Sequence, residues 1–313
     1  MTRTRKKVCI IKLDGIGDVL RTTPILWRFQ HDDITWITEQ ASMPLLRNNP
    51  FIKITLPVSE SLEVKNFIFD ELYNLDEDKN ACLLAMKITA GGKRGYGLKN
   101  GEYFPFDSDS DYAYALSKND ELKFKLNRKT YQQIMFEMAG FQWKGEDYIL
   151  GYKPESKIQY SVGINYLVGD KFPNKAWPHW RKLMEMLDSV SLQSNFNTLE
   201  GYIDWINSCR IIVTGDSLGM HIALALKKKV IILMGSTSWN EIETYNCGAI
   251  LTSQLPCSPC YKRNKCNVTL SCMDLITPER VYSEIMKLEA DMPKIEVRNS
   301  SKEAALQFIE RSK

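Results

Sequence analysis

A chain of 313 residues with 41 Lys plus Arg, 38 Asp plus Glu and a formal net charge of +3 is long enough for about two domains and can bury roughly three quarters of its unfolded surface. The near balance of charge argues against a dedicated nucleic-acid binder. With no apolar run of about 18 residues and no apolar leader, a cytoplasmic chain is expected, its membrane contact at most peripheral at the inner face. Eight cysteines are too few for a disulfide scaffold at this length.

The opening Arg3, Arg5, Lys6 and Lys7 read as a solvated basic tail. Val8-Cys9-Ile10-Ile11 is an apolar run of the kind buried in a parallel sheet. It leads through Asp14-Gly15-Ile16-Gly17-Asp18 into a helix expected to begin near Asp18. Glycines there permit a sharp turn and close approach of a ligand, and an acid at a helix start is favoured by the helix dipole. Asp18 is read either as a helix N-cap or as a catalytic base aimed at the carboxyl end of the sheet, where open α/β folds bind ligands. A dinucleotide fingerprint is not satisfied, because its third glycine position is Leu20.

Ile34–Thr38 and Ile52–Leu56 read as further strands, and Glu77–Ile88 as a helix followed by a glycine-rich basic loop, Gly91 to Gly97, that carries Lys93 and Arg94. Phe104–Lys129 is polar and weakly periodic, either an ordered excursion or a mobile loop. Thr130–Gly140 reads as a helix with Thr130 as cap and Gly140 as stop. A connector at Tyr148–Lys157 divides the chain into domains at 1–155 and 156–313. The second series is expected as a strand over Tyr160–Asn165, helices over Trp177–Leu187 and Leu199–Ser208, and a strand over Arg210–Thr214. A helix over Ser217–Leu226, a strand over Val230–Met234 and a terminal helix over Lys302–Ser312 complete it. The fold class this predicts is α/β, two Rossmann-like domains facing each other across a cleft.

In the second half, Thr214-Gly215-Asp216-Ser217-Leu218-Gly219-Met220-His221 breaks an apolar strand at small polar residues and re-enters a helix, so that several unpaired backbone N–H groups point one way, as a phosphate site requires. A capping Asp with a buried, satisfied His is the competing reading. Lys171-Phe172-Pro173-Asn174-Lys175-Ala176-Trp177-Pro178 delivers Lys175 just before a helix, where it would reinforce the positive field for a diphosphate; an exposed loop lysine is the alternative. Three histidines in the whole chain make a His-rich metal site unpromising.

Taken together, Ile16-Gly17-Asp18 with Thr22-Thr23-Pro24, Lys175-Ala176-Trp177-Pro178, Asp216 to His221 and the late cysteine segment resemble glycosyltransferase family nine, which includes the lipopolysaccharide heptosyltransferases. The resemblance runs from about Val8 to Leu288. It implies a GT-B fold and inverting transfer of a heptose from ADP-heptose to an acceptor hydroxyl without a catalytic metal. It implies Asp18 as general base and Lys175 as stabiliser of the leaving diphosphate. Gly17, Asn165, Asp216, Ser217, Leu218, Gly219 and His221 would line the donor site, and Lys93 and Arg94 would face an acceptor that is a glycan, a protein or a small molecule. The segment from Asp188 to Thr198 is shorter than the family's usual strand and nucleotide-side loop.

Cys257, Cys260, Cys266 and Cys272 are spaced C-x₂-C-x₅-C-x₅-C in a basic loop, a pattern that suits structural Zn or Fe; unligated thiols in a reducing compartment are the alternative. Cys9, Cys82, Cys209 and Cys247 read as small core residues. Two other functions are compatible with these residues. One is a non-catalytic nucleotide-sugar binder. The other is an interaction or nucleic-acid module on the cysteine knuckle, with Lys262, Arg263 and Lys265 as phosphate contacts.

Overall fold

The structure, a computed structural model, describes residues 4–13, 15–61, 67–169, 172–261, 266, 268–293 and 297. The chain forms two compact units, Met1–Lys153 and Pro154–Lys313. Asp14, Lys171, the basic trio Lys262, Arg263 and Lys265, and the terminal helix expected over Lys302–Ser312 lie outside the described residues.

The first unit runs β1 (Lys7–Ile11), α1 (Ile16–Thr22), β2 (Asp33–Thr38), α2 (Met43–Leu46), β3 (Ile52–Pro57), β4 (Ile68–Asn74), α3 (Lys79–Lys87), β5 (Thr89–Lys99), β6 (Glu102–Pro105), α4 (Asp111–Lys118) and α5 (Tyr131–Met138). Its six strands are ordered β3-β2-β1-β4-β5-β6, parallel except for the antiparallel β5–β6 pair. β1 is central, which accounts for its unbroken apolar run: Val8, Cys9, Ile10 and Ile11 are all 0% exposed. Because β2 lies on one side of β1 and β4 on the other, the strand order reverses between β1 and β4. Ligands bind open α/β sheets at such a switch point, beyond the carboxyl ends of the strands.

Two elements of this unit differ from expectation. β4, a central strand, was not foreseen because Asp70 and Glu71 interrupt its apolar pattern. They sit at the amino end of the sheet, where Asp70 accepts the Lys7 N–H at 2.7 Å and Glu71 pairs with Lys6 at 3.2 Å. The glycine-rich stretch from Gly91 to Gly97 is part of strand β5, not a loop. Its glycines serve close strand packing: a Cβ on Gly95 would stand 1.9 Å from the Asn74 carbonyl oxygen. The stretch Phe104–Lys129 is ordered, with β6, α4 and one π-helical turn over Leu122–Leu126.

α5 follows its sequence signals closely. Thr130 and Gln133 form a reciprocal capping box. At the other end Gly140, at φ 75°, donates to the Glu137 carbonyl while Phe141 donates to Phe136, the two bonds of a Schellman stop.

The second unit runs β7 (Tyr160–Asn165), α6 (Trp180–Met186), β8 (Val190–Leu192), α7 (Leu199–Asn207), β9 (Cys209–Gly215), α8 (Leu218–Ala225), β10 (Lys229–Leu233), β11 (Gly248–Leu251) and α9 (Pro278–Ala290). Its five parallel strands are ordered β11-β10-β9-β7-β8, so the switch point falls between β7 and β9. The core around Val162, Ile164, Leu183, Ile211, Val213 and Ile231 also takes in Trp177, Trp180, Val281 and Ile285. Trp177 precedes α6 rather than opening it. Its indole is 2% exposed and donates to the Ile276 carbonyl at 2.7 Å, so the Trp-Pro pair anchors the Lys175 loop to the core. β8 is only three residues long, in keeping with the short segment read between α6 and α7.

Candidate functional site

Each unit places its distinctive polar residues at its own switch point. In the first unit, β1 delivers the chain through Lys12 and Leu13 to Gly15, which is the N-cap of α1 at φ 72°. Asp18 is therefore not the N-cap. It lies at the third helical position, with its carboxylate reaching back over the cap: a Cβ on Gly15 would stand 2.7 Å from Asp18 Oδ2. Only glycine accommodates both the positive φ and that approach. Gly17 sits within the first turn of α1. The Asp18 side chain is 41% exposed, and its Oδ1 lies 2.8 Å from Arg21 Nε.

Around it lies a cluster that the sequence did not disclose. Lys12, on the β1 side of the switch, pairs with Asp76, just beyond β4, at 3.3 Å, with side chains 8% and 4% exposed. Asp76 also accepts the Leu13 N–H at 2.9 Å. Burial alone would lower the Lys12 pKa, but the Tyr131 phenol, Asp76 and Asp18 outweigh it and raise it, so the ammonium stays charged. Asp76 and Tyr131 are far from Lys12 in sequence, and no local pattern marks them.

Lys93 and Arg94, expected on an exposed basic loop, lie on β5. Lys93 Nζ donates to the carbonyls of Ala85 and Met86, at 2.8 and 3.4 Å, closing the carboxyl end of α3. Arg94 is paired with Asp107 and Asp109.

In the second unit, β7 ends at Asn165 and β9 at Gly215, the two sides of the switch. Asn165 is 2% exposed. Its amide donates to Thr214 Oγ1 at 2.7 Å and Ser217 Oγ at 2.9 Å, and its carbonyl accepts from the Tyr202 hydroxyl at 2.5 Å. Expected as a donor contact, Asn165 in this structure holds the turn that opens α8. Gly219 is needed for that arrangement, since a Cβ there would stand 2.3 Å from the Tyr202 hydroxyl and 2.6 Å from Asn165 Nδ2.

The α8 N-cap is Ser217, whose side chain makes no cap hydrogen bond. The first-turn amides of Leu218 and Gly219 belong to the positive end of this helix. Beside it, Lys175 Nζ lies 2.7 Å from Asp216 Oδ2 and 3.1 Å from the Asp216 carbonyl oxygen, both side chains being 18% exposed. Burial would push the Asp216 carboxyl up. The Lys175 ammonium, hydrogen bonds from Lys175 and Thr237, and nearby His221 overcome that and hold it at about 2. His221 is 5% exposed. The structure thus gathers Asn165, Lys175, Asp216, Ser217, Leu218, Gly219 and His221 at one switch point.

Thr237 belongs to the same place and was missed. It lies in the Gly235–Ser238 turn beyond β10, which pairs with β9 so that Leu233 stands beside Gly215; the rule that strand ends bind ligands could have found it. In that turn the Ser236 and Ser238 hydroxyls are buried without a protein partner among the described residues, a lining that a polar ligand can satisfy.

The expected cysteine shell for Zn or Fe falls on Cys257, Cys260, Cys266 and Cys272, all among the described residues. Among the described residues, no three of His, Cys, Asp and Glu converge to hold a metal; Cys257 and Cys266 are exposed, Cys260 half-buried and Cys272 buried. Burial, with Cys260, Cys266 and Cys257 nearby, pushes the Cys272 thiol up to about 11. The segment braces the Gly235–Ser238 turn. Ser258 Oγ donates to the Gly235 carbonyl, and the N–H groups of Cys260 and Tyr261 donate to the Ser236 carbonyl at 3.1 and 2.7 Å.

Residues 197–270, which include α7, α8 and that turn, match glycosyltransferase family 9 (heptosyltransferase). A 112-residue stretch is 29% identical to lipopolysaccharide core heptosyltransferase OpsX of Haemophilus influenzae, covering 31% of this chain and 32% of that protein. The chain thus matches about a third of the length of the curated relatives it resembles. Across 91% of this chain and 100% of the other, the fold matches E. coli ADP-heptose lipopolysaccharide heptosyltransferase II, with a TM-score of 0.64 and 16% identity. It also matches the iron-containing dodecameric glycosyltransferase TibC of enterotoxigenic E. coli, with a TM-score of 0.61, 14% identity, and coverage of 92% of this chain and 77% of that one. TibC has also been solved in complex with ADP-D-β-D-heptose. The chain has the α/β fold of these transferases, and its residues 197–270 are similar to glycosyltransferase family 9.

Proposed function

We propose that this protein is an inverting glycosyltransferase that moves a heptose or related sugar from ADP-heptose to a hydroxyl of an acceptor glycan of the lipopolysaccharide core. The observation that carries this reading is the Lys175–Asp216 pair set against the open N-terminus of α8 at the second unit's switch point. A cation beside unpaired helix amides is a site for a diphosphate. The names of the relatives supply the sugar and the nucleotide.

In the reaction, the acceptor oxygen bonds to the anomeric carbon while the carbon–oxygen bond to the diphosphate breaks, the electron pair leaving with ADP. The acceptor proton passes to the Asp18 carboxylate, a step worth about 10²- to 10⁴-fold. Lys175 and the Leu218 and Gly219 amides stabilise charge on the departing phosphate, and Asp216, itself anionic, holds Lys175 and accepts sugar hydroxyls. The sequence of steps uses no metal-bound group. No helix among the described residues is long and apolar enough to cross a membrane, and reaching a lipid-linked acceptor calls only for peripheral contact at the inner face.

The test is incubation with a panel of nucleotide sugars and a core acceptor lacking the transferred heptose, with ADP release followed by mass spectrometry and the anomeric configuration of the product read by NMR. Release from ADP-heptose with inversion is expected, and Asp18→Asn should lower the rate about 10²-fold or more while leaving ADP affinity unchanged. Full-rate transfer by Asp18→Asn, or retention at the anomeric centre, overturns the mechanism.

A further inference from the structure

Arg21 lies one turn along α1 from Asp18, and as an exposed i, i+3 pair it would contribute only about 0.2–0.5 kcal/mol. Its surroundings are not those of an exposed pair. The Arg21 side chain is 15% exposed, and its guanidinium carbon lies 3.6 Å from the centroid of the Tyr131 ring, close enough for a cation–π contact with the flat guanidinium laid on the ring. Tyr131, at the start of α5, is 9% exposed.

The phenol is tied back to the same helix. Thr22 Oγ1 donates its proton to the Asp18 carbonyl at 2.7 Å, so in the 2.9 Å contact between Thr22 Oγ1 and the Tyr131 hydroxyl the phenol is the donor. Burial pushes the Tyr131 phenol up, which keeps it a neutral donor. A closed circuit results: Asp18 carboxylate to Arg21, Arg21 to the Tyr131 ring, Tyr131 to Thr22, and Thr22 to the Asp18 backbone.

We propose that Arg21, seated on Tyr131, is the positioning residue for Asp18: its ion pair with one carboxylate oxygen restrains the group, so that a side chain 41% exposed to solvent keeps one orientation toward an incoming hydroxyl. This rests on the reading of Asp18 as the base. Among the described residues, the charged and titratable groups around the carboxylate are Arg21 on α1, Lys12 beyond β1 with its partner Asp76 beyond β4, and Tyr131 on α5, while Arg28, in the 3₁₀ turn Thr23–Arg28 that packs on α1, is paired with Glu146. The 3₁₀ turn over Gln40–Ser42, which also packs on α1, brings no charge. Among the described residues, removal of Arg21 leaves Lys12 to act on Asp18, and Lys12 is already committed to Asp76.

The experiment has one arm that needs no substrate. In full-length protein carrying carboxyl-¹³C aspartate, the Asp18 resonance, assigned by its loss in Asp18→Asn, is titrated in wild type, Arg21→Gln and Arg21→Lys. Loss of the guanidinium should move the Asp18 midpoint up by about one pH unit or more, with Arg21→Lys between the two. In the second arm, ADP release from ADP-heptose is followed against pH. Arg21→Gln should lower kcat about tenfold or more, leave the donor KM within about twofold, and displace the acid limb upward by the same amount as the NMR midpoint. Tyr131→Leu should reproduce the kcat loss and Tyr131→Phe much less of it, with thermal melts reading folding separately. An unmoved Asp18 midpoint in Arg21→Gln overturns the positioning role, whichever way the kinetics fall. Full-rate transfer by Asp18→Asn overturns the base reading instead, and the NMR arm distinguishes the two failures.

Discussion

The two switch points solve opposite electrostatic problems on the same kind of sheet. In the first unit the crevice between β1 and β4 is spanned by side-chain charge: Lys12 and Asp76 pair across it and Arg21 pairs with Asp18. In the second, the crevice between β7 and β9 is closed by the neutral amide of Asn165, and one ion pair stands beside a helix start. A carboxylate that must stay ionised and accept a proton is served by nearby cations. A site for an anion is served by backbone amides, which carry fixed partial charge and cannot be titrated away. Under the proposed function, one topology would serve both roles, and the side chains at the strand ends would decide which.

The sharpest break of this contrast is at Lys175. Lys175→Ala leaves the largely buried Asp216 carboxylate without its cation, and a loss of about 3–5 kcal/mol is expected, read by urea denaturation. Lys175→Ala combined with Asp216→Asn should recover part of it. Gly219→Ala comes next: a methyl group driven against Tyr202 and Asn165 should cost about 1–3 kcal/mol and weaken ADP binding, measured by calorimetry, while leaving the Asp18 titration unchanged.

A third test uses acid. The Asp216 carboxyl titrates at about 2 in the folded protein against 3.8 for the ordinary group. Its folded-state pKa is depressed, so its contribution is complete above the unfolded value and is lost as pH falls from about 4 through about 2. That contribution is about 2 kcal/mol, and Asp216→Asn should flatten this part of the stability–pH curve. If wild type and variant fall in parallel, the pair does not bear on folding. The smallest effect is expected at Gly15→Ala, where positive φ costs about 1–2 kcal/mol and the new methyl group displaces Asp18. Transfer should fall by more than the stability loss explains.

Local signals and long-range ones fared differently. β1, β2, β7, β9 and β10 announce themselves as apolar runs, and α5 is delimited by its own capping box and glycine stop. β4 and β5 were obscured because their composition answers to neighbours: Asp70 to Lys7 at the start of β1, Glu71 to Lys6 just before it, and Gly95 to the Asn74 carbonyl. In the site, Asp18, Lys175 and Asp216 could be named because each sits in a strand-to-helix or loop-to-helix turn. Arg21 lies in plain view beside Asp18, but its meaning depends on Tyr131, and no periodicity links residues so far apart.

The brace on the Gly235–Ser238 turn carries one more implication. The Ser236 carbonyl takes amide protons from both Cys260 and Tyr261, so both of its lone pairs are spent on one loop, which ties the two segments into one hydrogen-bonded piece. Thr237, whose hydroxyl reaches Asp216, rides on that piece. Whatever strains or straightens the chain between Ser258 and Tyr261 is thereby geared to the grip on Asp216, and a loop outside the chemistry becomes a lever on it.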